Sequence, residues 1–339
     1  MCLQTLLRRG PYAAALACLG MLALILIRDK PDLSVLAAFP WANFKTIFIS
    51  IILEAVPFVL LGVLFSALLQ VFVSEQTVRR WTPRNPVLGV LFACSLGIIF
   101  PLCECGMIPI VRRLMRKGMP VYIAVTFILA GPVLNPVVYA STYMAFRSRP
   151  EMAYSRMGLA FLVAATLGLL VYAFVKRNPL RPEPPIPHDL DGDQHAGHVP
   201  SAGQSNKLLS TLGHASDEFF EMGKYLIFGA MLTGIIQAVV TRESLVAIGQ
   251  GEVSSHLFMM GFAYILSLCS TSDAFVASSF ATTFTAGSLL SFLVFGPMID
   301  LKNTLMLLSV FRVRFVLILT VVLAAAVLVG SRLIELAFL

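Results

Sequence analysis

Cys103, Glu104 and Cys105 place two thiols on either side of a carboxyl, with Pro101 before them and Gly106 after. In a helix, side chains at i and i+2 point about 200° apart. In the extended backbone that Pro101 and Gly106 predict, both thiols share one side. Two thiolates so placed suit a soft, thiophilic ion such as As(III), Cu(I) or Zn(II), which makes Cys103 and Cys105 the candidate metal ligands. The plainer alternative is packing, because buried cysteine behaves as a small hydrophobe. That is the reading for Cys2, Cys18 and Cys94. A second polar cluster, Cys269, Ser270, Thr271, Ser272 and Asp273, interrupts another apolar run. Its hydroxyls either satisfy local backbone groups, as in many membrane helices, or line a cavity. Asn135 and Asp300 are candidates for the same substrate-binding cavity, and Asn135 alternatively makes an interhelical hydrogen bond.

Glu104, Glu54, Glu221, Asp273 and Asp300 are acids inside apolar segments. A charge at mid-membrane costs about 2.5–3.5 kcal/mol even on the insertion scale, so an intramembrane acid is a functional candidate by default. Structural pairing with Lys45, Lys224 or Lys302 is the alternative. A carboxyl that gains and loses a proton would couple transport to protons, and Glu54 and Glu221 are the candidates for that role.

The elements that must position these groups are apolar helices. Of the 339 residues, 58% are hydrophobic and 13% charged, with a mean hydropathy of +0.86. Soluble domains average about 45–50% apolar and 25% charged, so the composition predicts an all-α polytopic membrane protein. Runs long enough to span the bilayer cover 11–27, 44–73, 121–146, 157–175, 219–240, 289–311 and 315–329. Two more, 87–111 and 256–283, are interrupted at 101–106 and 269–273. No cleavage site follows the first run, which reads as a spanning helix rather than a removed signal.

The chain divides into an N-terminal helix and loop (1–40), a first repeat (41–177), a Pro-, Gly- and Asp-rich flexible linker (178–211) and a second repeat (212–339). The repeat shows as Glu54 on Glu221, Gly62 on Gly229 and Gln70 on Gln237 at one offset, without a gap. Further on, 103–106 faces 269–273, Gly131-Pro132 faces Gly296-Pro297, and Asn135 faces Asp300. Loop Lys and Arg are strongly asymmetric only if both interrupted segments are re-entrant. That predicts seven spans plus two broken, re-entrant helix pairs, inverted repeats, a cytoplasmic N-terminus and an outside C-terminus; nine spans is the alternative.

The net charge of +7 sits in short clusters between apolar runs, the pattern of cytoplasmic loops rather than of nucleic-acid binding. Four cysteines lie inside apolar segments, which argues against a secreted disulfide framework. There is no Gly-rich P-loop, no nucleophile–base pair and no metalloprotease motif. The sequence therefore predicts neither an enzyme nor ATP-driven transport by this chain alone, and calls for no cofactor. His188, His195 and His198 lie in the linker without ordered spacing and read as solvated.

The stretches PLCECGMIPIVRRLMRKGMP, GPVLNPVVYASTYMAF and LCSTSDAFVASSF resemble the predicted permease family that includes YraQ-like proteins and the ArsP organoarsenical efflux permeases. The similarity covers roughly 40–320, linker excluded. It implies a multi-pass permease of the bacterial inner membrane and, in the ArsP branch, export of trivalent organoarsenicals through paired cysteines, here Cys103 and Cys105. Glu104 between the thiols sets the chain nearer the general permease subgroup, whose members often accompany a second membrane protein. The partners expected are thus a small-molecule or metalloid substrate, the lipid bilayer, and a second membrane protein or further copies of the chain.

Overall fold

The computed structural model describes residues 41–72, 75–83, 85–99, 103–175, 179–180, 204–239 and 251–338. The expected first span, the linker histidines, Cys2, Cys18 and the side chain of Glu221 lie outside the described residues. Among the described residues the regular structure is helical: α1 (Trp41–Phe72), α2 (Glu75–Trp81), α3 (Pro86–Ile99), α4 (Glu104–Arg116), α5 (Val121–Ala130), α6 (Pro136–Ala145), α7 (Glu151–Phe174), α8 (Gln204–Val239), α9 (Glu252–Leu266), α10 (Asp273–Ser278), α11 (Ala286–Met298), α12 (Leu301–Val310) and α13 (Val313–Phe338).

Among the described residues, four stretches are long and apolar enough to cross a membrane: Trp41–Leu69, Glu151–Phe174, Ala286–Val310 and Val313–Ala337. The third is central, with 78% of its apolar window buried inside the protein, against 22% for the first and the last. Leu53, Leu60 and Leu64 on α1, Leu162 and Phe174 on α7, and Ile318 and Val321 on α13 face outward. A belt of that size would be an interaction surface in water; here it is the lipid-facing side of a multi-pass membrane protein.

The apolar runs 121–146 and 289–311 each form two helices rather than one. Residues 131–135 separate α5 from α6, and Ile299 and Asp300 separate α11 from α12. With ten residues each, α5 and α6 are about 15 Å long, half of a ~30 Å hydrocarbon core. Polar side chains supply the helix starts at these gaps. Asn135 Oδ1 accepts from Val137 N at 2.9 Å, and Asp300 Oδ1 accepts from Asn303 N, satisfying amides that a new helix leaves orphaned.

Several boundaries differ from expectation, two helix starts most of all. The helix expected at 219–240 begins at Gln204, inside the stretch read as linker. The helix expected to start at 157 begins at Glu151, which draws Arg156 into the bundle.

Candidate functional site

Both polar interruptions end in a short helix that starts with an acid. Cys103 is extended (φ −73°, ψ 163°) and N-caps α4, whose first residue is Glu104. Ser267 closes α9 in the left-handed region (φ 47°), and α10 then begins at Asp273. A carboxylate in the first turn interacts favourably with the positive end of the helix dipole.

The extended backbone expected through 103–106 is confined to Cys103. Cys103 O already accepts from Gly106 N at 3.1 Å and Met107 N at 3.2 Å, so Glu104, Cys105 and Gly106 belong to the first turn of α4. Both thiols sit at the helix start, Cys103 as an extended residue and Cys105 in the helical turn that follows. Cys103 and Cys105 act on each other electrostatically. Cys105 is buried and Cys103 half-buried. Among the described residues no three His, Cys, Asp or Glu side chains gather into a metal cluster.

The crossing of α1 over α4 holds this turn in place. A Cβ on Gly62 would lie 2.3 Å from Gly106 O, and one on Gly106 would lie 2.8 Å from Phe58 O. Only glycine at both positions lets the two backbones touch.

Glu104 and Asp273 are answered by cations from the other half of the chain. Glu104 Oε1 lies 3.6 Å from Lys302 Nζ, with side-chain exposures of 3% and 7%. The same Nζ lies 3.8 Å from Asp300 Oδ2. Asp273 Oδ2 receives Arg156 Nη2 at 2.7 Å. Arg156 also donates through Nη1 to Thr142 Oγ1 at 2.7 Å and through Nη2 to the Ser270 carbonyl at 3.2 Å. Lys302 stood among the structural partners expected for the acids. Arg156 was missed, although an arginine at the edge of an apolar run is the kind of signal that would have found it.

The remaining hydroxyls of the second interruption bond locally. Ser272 Oγ donates to Cys269 O at 3.1 Å, and Thr271 Oγ1 lies 3.5 Å from Cys269 Sγ. Cys269, Thr271 and Ser272 are half-buried, whereas Ser270 is buried. Glu54 is exposed on α1 and interacts electrostatically with both Glu104 and Cys269. Glu104 in turn acts on Asp273. The two interruptions, Asp300 and Glu54 thus form one electrostatic neighbourhood at the junction of the halves. Asn135 is buried, and its oxygen serves as the α6 cap.

Four buried oxygens here have no hydrogen-bond partner among the described residues: Glu104 Oε2, Asp273 Oδ1, Asp300 Oδ2 and Asn303 Oδ1. Orphaned buried acceptors are rare and call for an explanation.

A family model described as "Predicted permease", ArsP_1, matches residues 40–336. The chain belongs to this predicted permease family. The permease is 48% identical over 294 residues to UPF0718 protein YcgR of Bacillus subtilis, covering 86% of this chain and 96% of that protein. It is 36% identical over 271 residues to a putative two-component membrane permease complex subunit of Streptococcus mutans, covering 80% of this chain and 88% of that protein. No solved structure matches the permease.

Proposed function

We propose that this permease is a secondary transporter that moves a small thiophilic solute outward, with Cys103 and Cys105 as its ligands. The observation that carries this reading is the pair of thiols in the first turn of α4, on either side of a buried carboxylate with one oxygen unsatisfied. Two sulfur ligands suit Cu(I) or a trivalent arsenical, whereas Zn(II) normally takes four ligands. Glu104 and Asp273 shape the site. Asp300, Asn135, Cys269, Ser270, Thr271 and Ser272 line it, and Glu54 and Glu221 serve coupling. Export is the direction that the resemblance to arsenical efflux permeases implies.

The site lies between two inverted repeats, each with three spans and one re-entrant segment. Matching roles at matching positions support this reading. Glu104 and Asp273 open the short helices α4 and α10, and Asn135 and Asp300 cap α6 and α12. Contacts match too, since α4 packs on α12 as α10 packs on α6. Discontinuous helices at a repeat interface are where secondary transporters hold their substrates.

The test is transport. Cys103→Ser/Cys105→Ser, present in the membrane at wild-type level, should abolish efflux of or resistance to the thiophilic solute. Unchanged transport overturns the thiol assignment.

A second reading is that the chain is one subunit of a two-component permease, favoured by the name of the Streptococcus relative. Transport that appears only when a second membrane protein is co-expressed is the outcome that supports it.

A further inference from the structure

Away from the cysteine centre, α9, α11 and α13 enclose a second polar cluster. His256 on α9 is fully buried. Its Nε2 lies 2.9 Å from Glu335 Oε2 on α13. Its Nδ1 faces Ser291 Oγ on α11 at 2.8 Å and Ser331 Oγ on α13 at 3.2 Å. Glu335 keeps a side-chain exposure of 19% and is flanked by Arg332 at 3.4 Å. The seam is shaped around this carboxylate, for a Cβ on Gly287 would lie 2.5 Å from Glu335 Oε2.

We propose that His256 and Glu335 form a proton-binding site, separate from the Glu104 centre and reached from water through Glu335. The two hydroxyls are arranged to serve both protonation states without moving a heavy atom. When His256 is neutral with its proton on Nε2, that N–H donates to Glu335 and a serine hydroxyl donates to Nδ1. When Nδ1 gains a proton, it donates to the serine oxygen. Each hydroxyl then has a carbonyl to turn to: Gly287 O lies 3.1 Å from Ser291 Oγ, and Leu328 O lies 3.1 Å from Ser331 Oγ. A buried histidine that only packs needs one satisfied state; this one has two.

Glu335 and Arg332 are the charged groups that act on His256. α11 offers it hydroxyls, and α8 meets α9 at the opposite end, where Gln237 Nε2 donates to Leu266 O at 2.7 Å. The site is tied to the cysteine centre by α11 itself. Ser291 lies about 10 Å of helix axis from Met298, the last residue of α11, and Asp300 and Lys302 follow. That this proton drives transport rests on the permease reading; that the site binds a proton does not.

The experiment is nitrogen NMR of ¹⁵N-histidine-labelled, purified wild-type protein between about pH 5 and pH 8, the range in which histidine changes charge. His256→Gln assigns the signal, and Glu335→Gln is the second variant. The expected result is an Nε2–H neutral form at the alkaline end that converts to the doubly protonated form at the acid end. In Glu335→Gln the tautomer preference should be lost. A His256 signal that stays in one neutral form throughout, or a neutral form with its proton on Nδ1, overturns the proposal. Neither outcome depends on whether any solute is carried.

Discussion

Glu104 and Lys302 come from opposite halves of the chain and meet at 3.6 Å with almost no exposure on either side. A second pair crosses in the other direction, since Asp273 of the second half is held by Arg156 of the first at 2.7 Å. The halves are thus joined by two buried ion pairs whose acids open the two short helices. Removing one member of such a pair strands a charge, which costs far more than removing both.

Lys302→Met leaves Glu104 and Asp300 facing each other without a cation. It should destabilise the protein by about 3–5 kcal/mol, read as a lowered thermal midpoint in detergent. Adding Glu104→Gln to Lys302→Met should recover part of that loss. A double variant less stable than Lys302→Met would contradict the pairing.

Arg156 makes three bonds, to Thr142, Ser270 and Asp273. A double-mutant cycle with Arg156→Gln and Asp273→Asn should give a coupling energy above about 1 kcal/mol, as expected for contacting residues in one network. Additive losses would mean that the pair contributes nothing of its own.

Gly62→Ala puts a methyl group 2.3 Å from Gly106 O. Backbone cannot yield as a side-chain tip can, so α1 and α4 must separate, at a cost of about 1–3 kcal/mol. The turn carrying both thiols moves with α4, and slower capture of phenylarsine oxide is the accompanying readout. A variant with wild-type stability and capture would show that the crossing tolerates a side chain.

In a Cys2→Ser/Cys18→Ser background, N-ethylmaleimide should modify the half-buried Cys103 and Cys269 before the buried Cys94 and Cys105. Peptide mass spectrometry against time checks the order. Early modification of Cys105 would contradict its burial.

Much of this site was legible in the sequence because its acids stand out. Glu104, Asp273 and Asp300 are costly inside apolar runs, and Pro101, Gly131 and Pro132 flag interruptions without any structure. The cations were harder. Lys302 was recognisable only as one of several lysines, since nothing local says which acid it faces. Arg156 fell one residue outside the apolar run starting at 157, and the helix that buries it starts earlier, at Glu151. His256 and Glu335 escaped notice for the same reason, one at the first position of a run and the other beyond the end of another. Asn135 and Asp300 show the limit of polarity as a signal. Both cap a helix inside the bundle, and a cap and a ligand look alike in sequence. The spacing of the thiols predicts one shared side of an extended chain, whereas they flank the junction of an extended residue and a helical turn.

The most direct test of the thiol site is equilibrium binding of phenylarsine oxide, Cu(I) and Zn(II), each in turn, to the purified protein and to Cys103→Ser/Cys105→Ser. The account predicts tight binding of phenylarsine oxide or Cu(I) by the wild type, weaker binding of Zn(II), and loss of the tight component in the double variant. Equal, weak binding by both proteins would contradict it and leave the cysteines as packing.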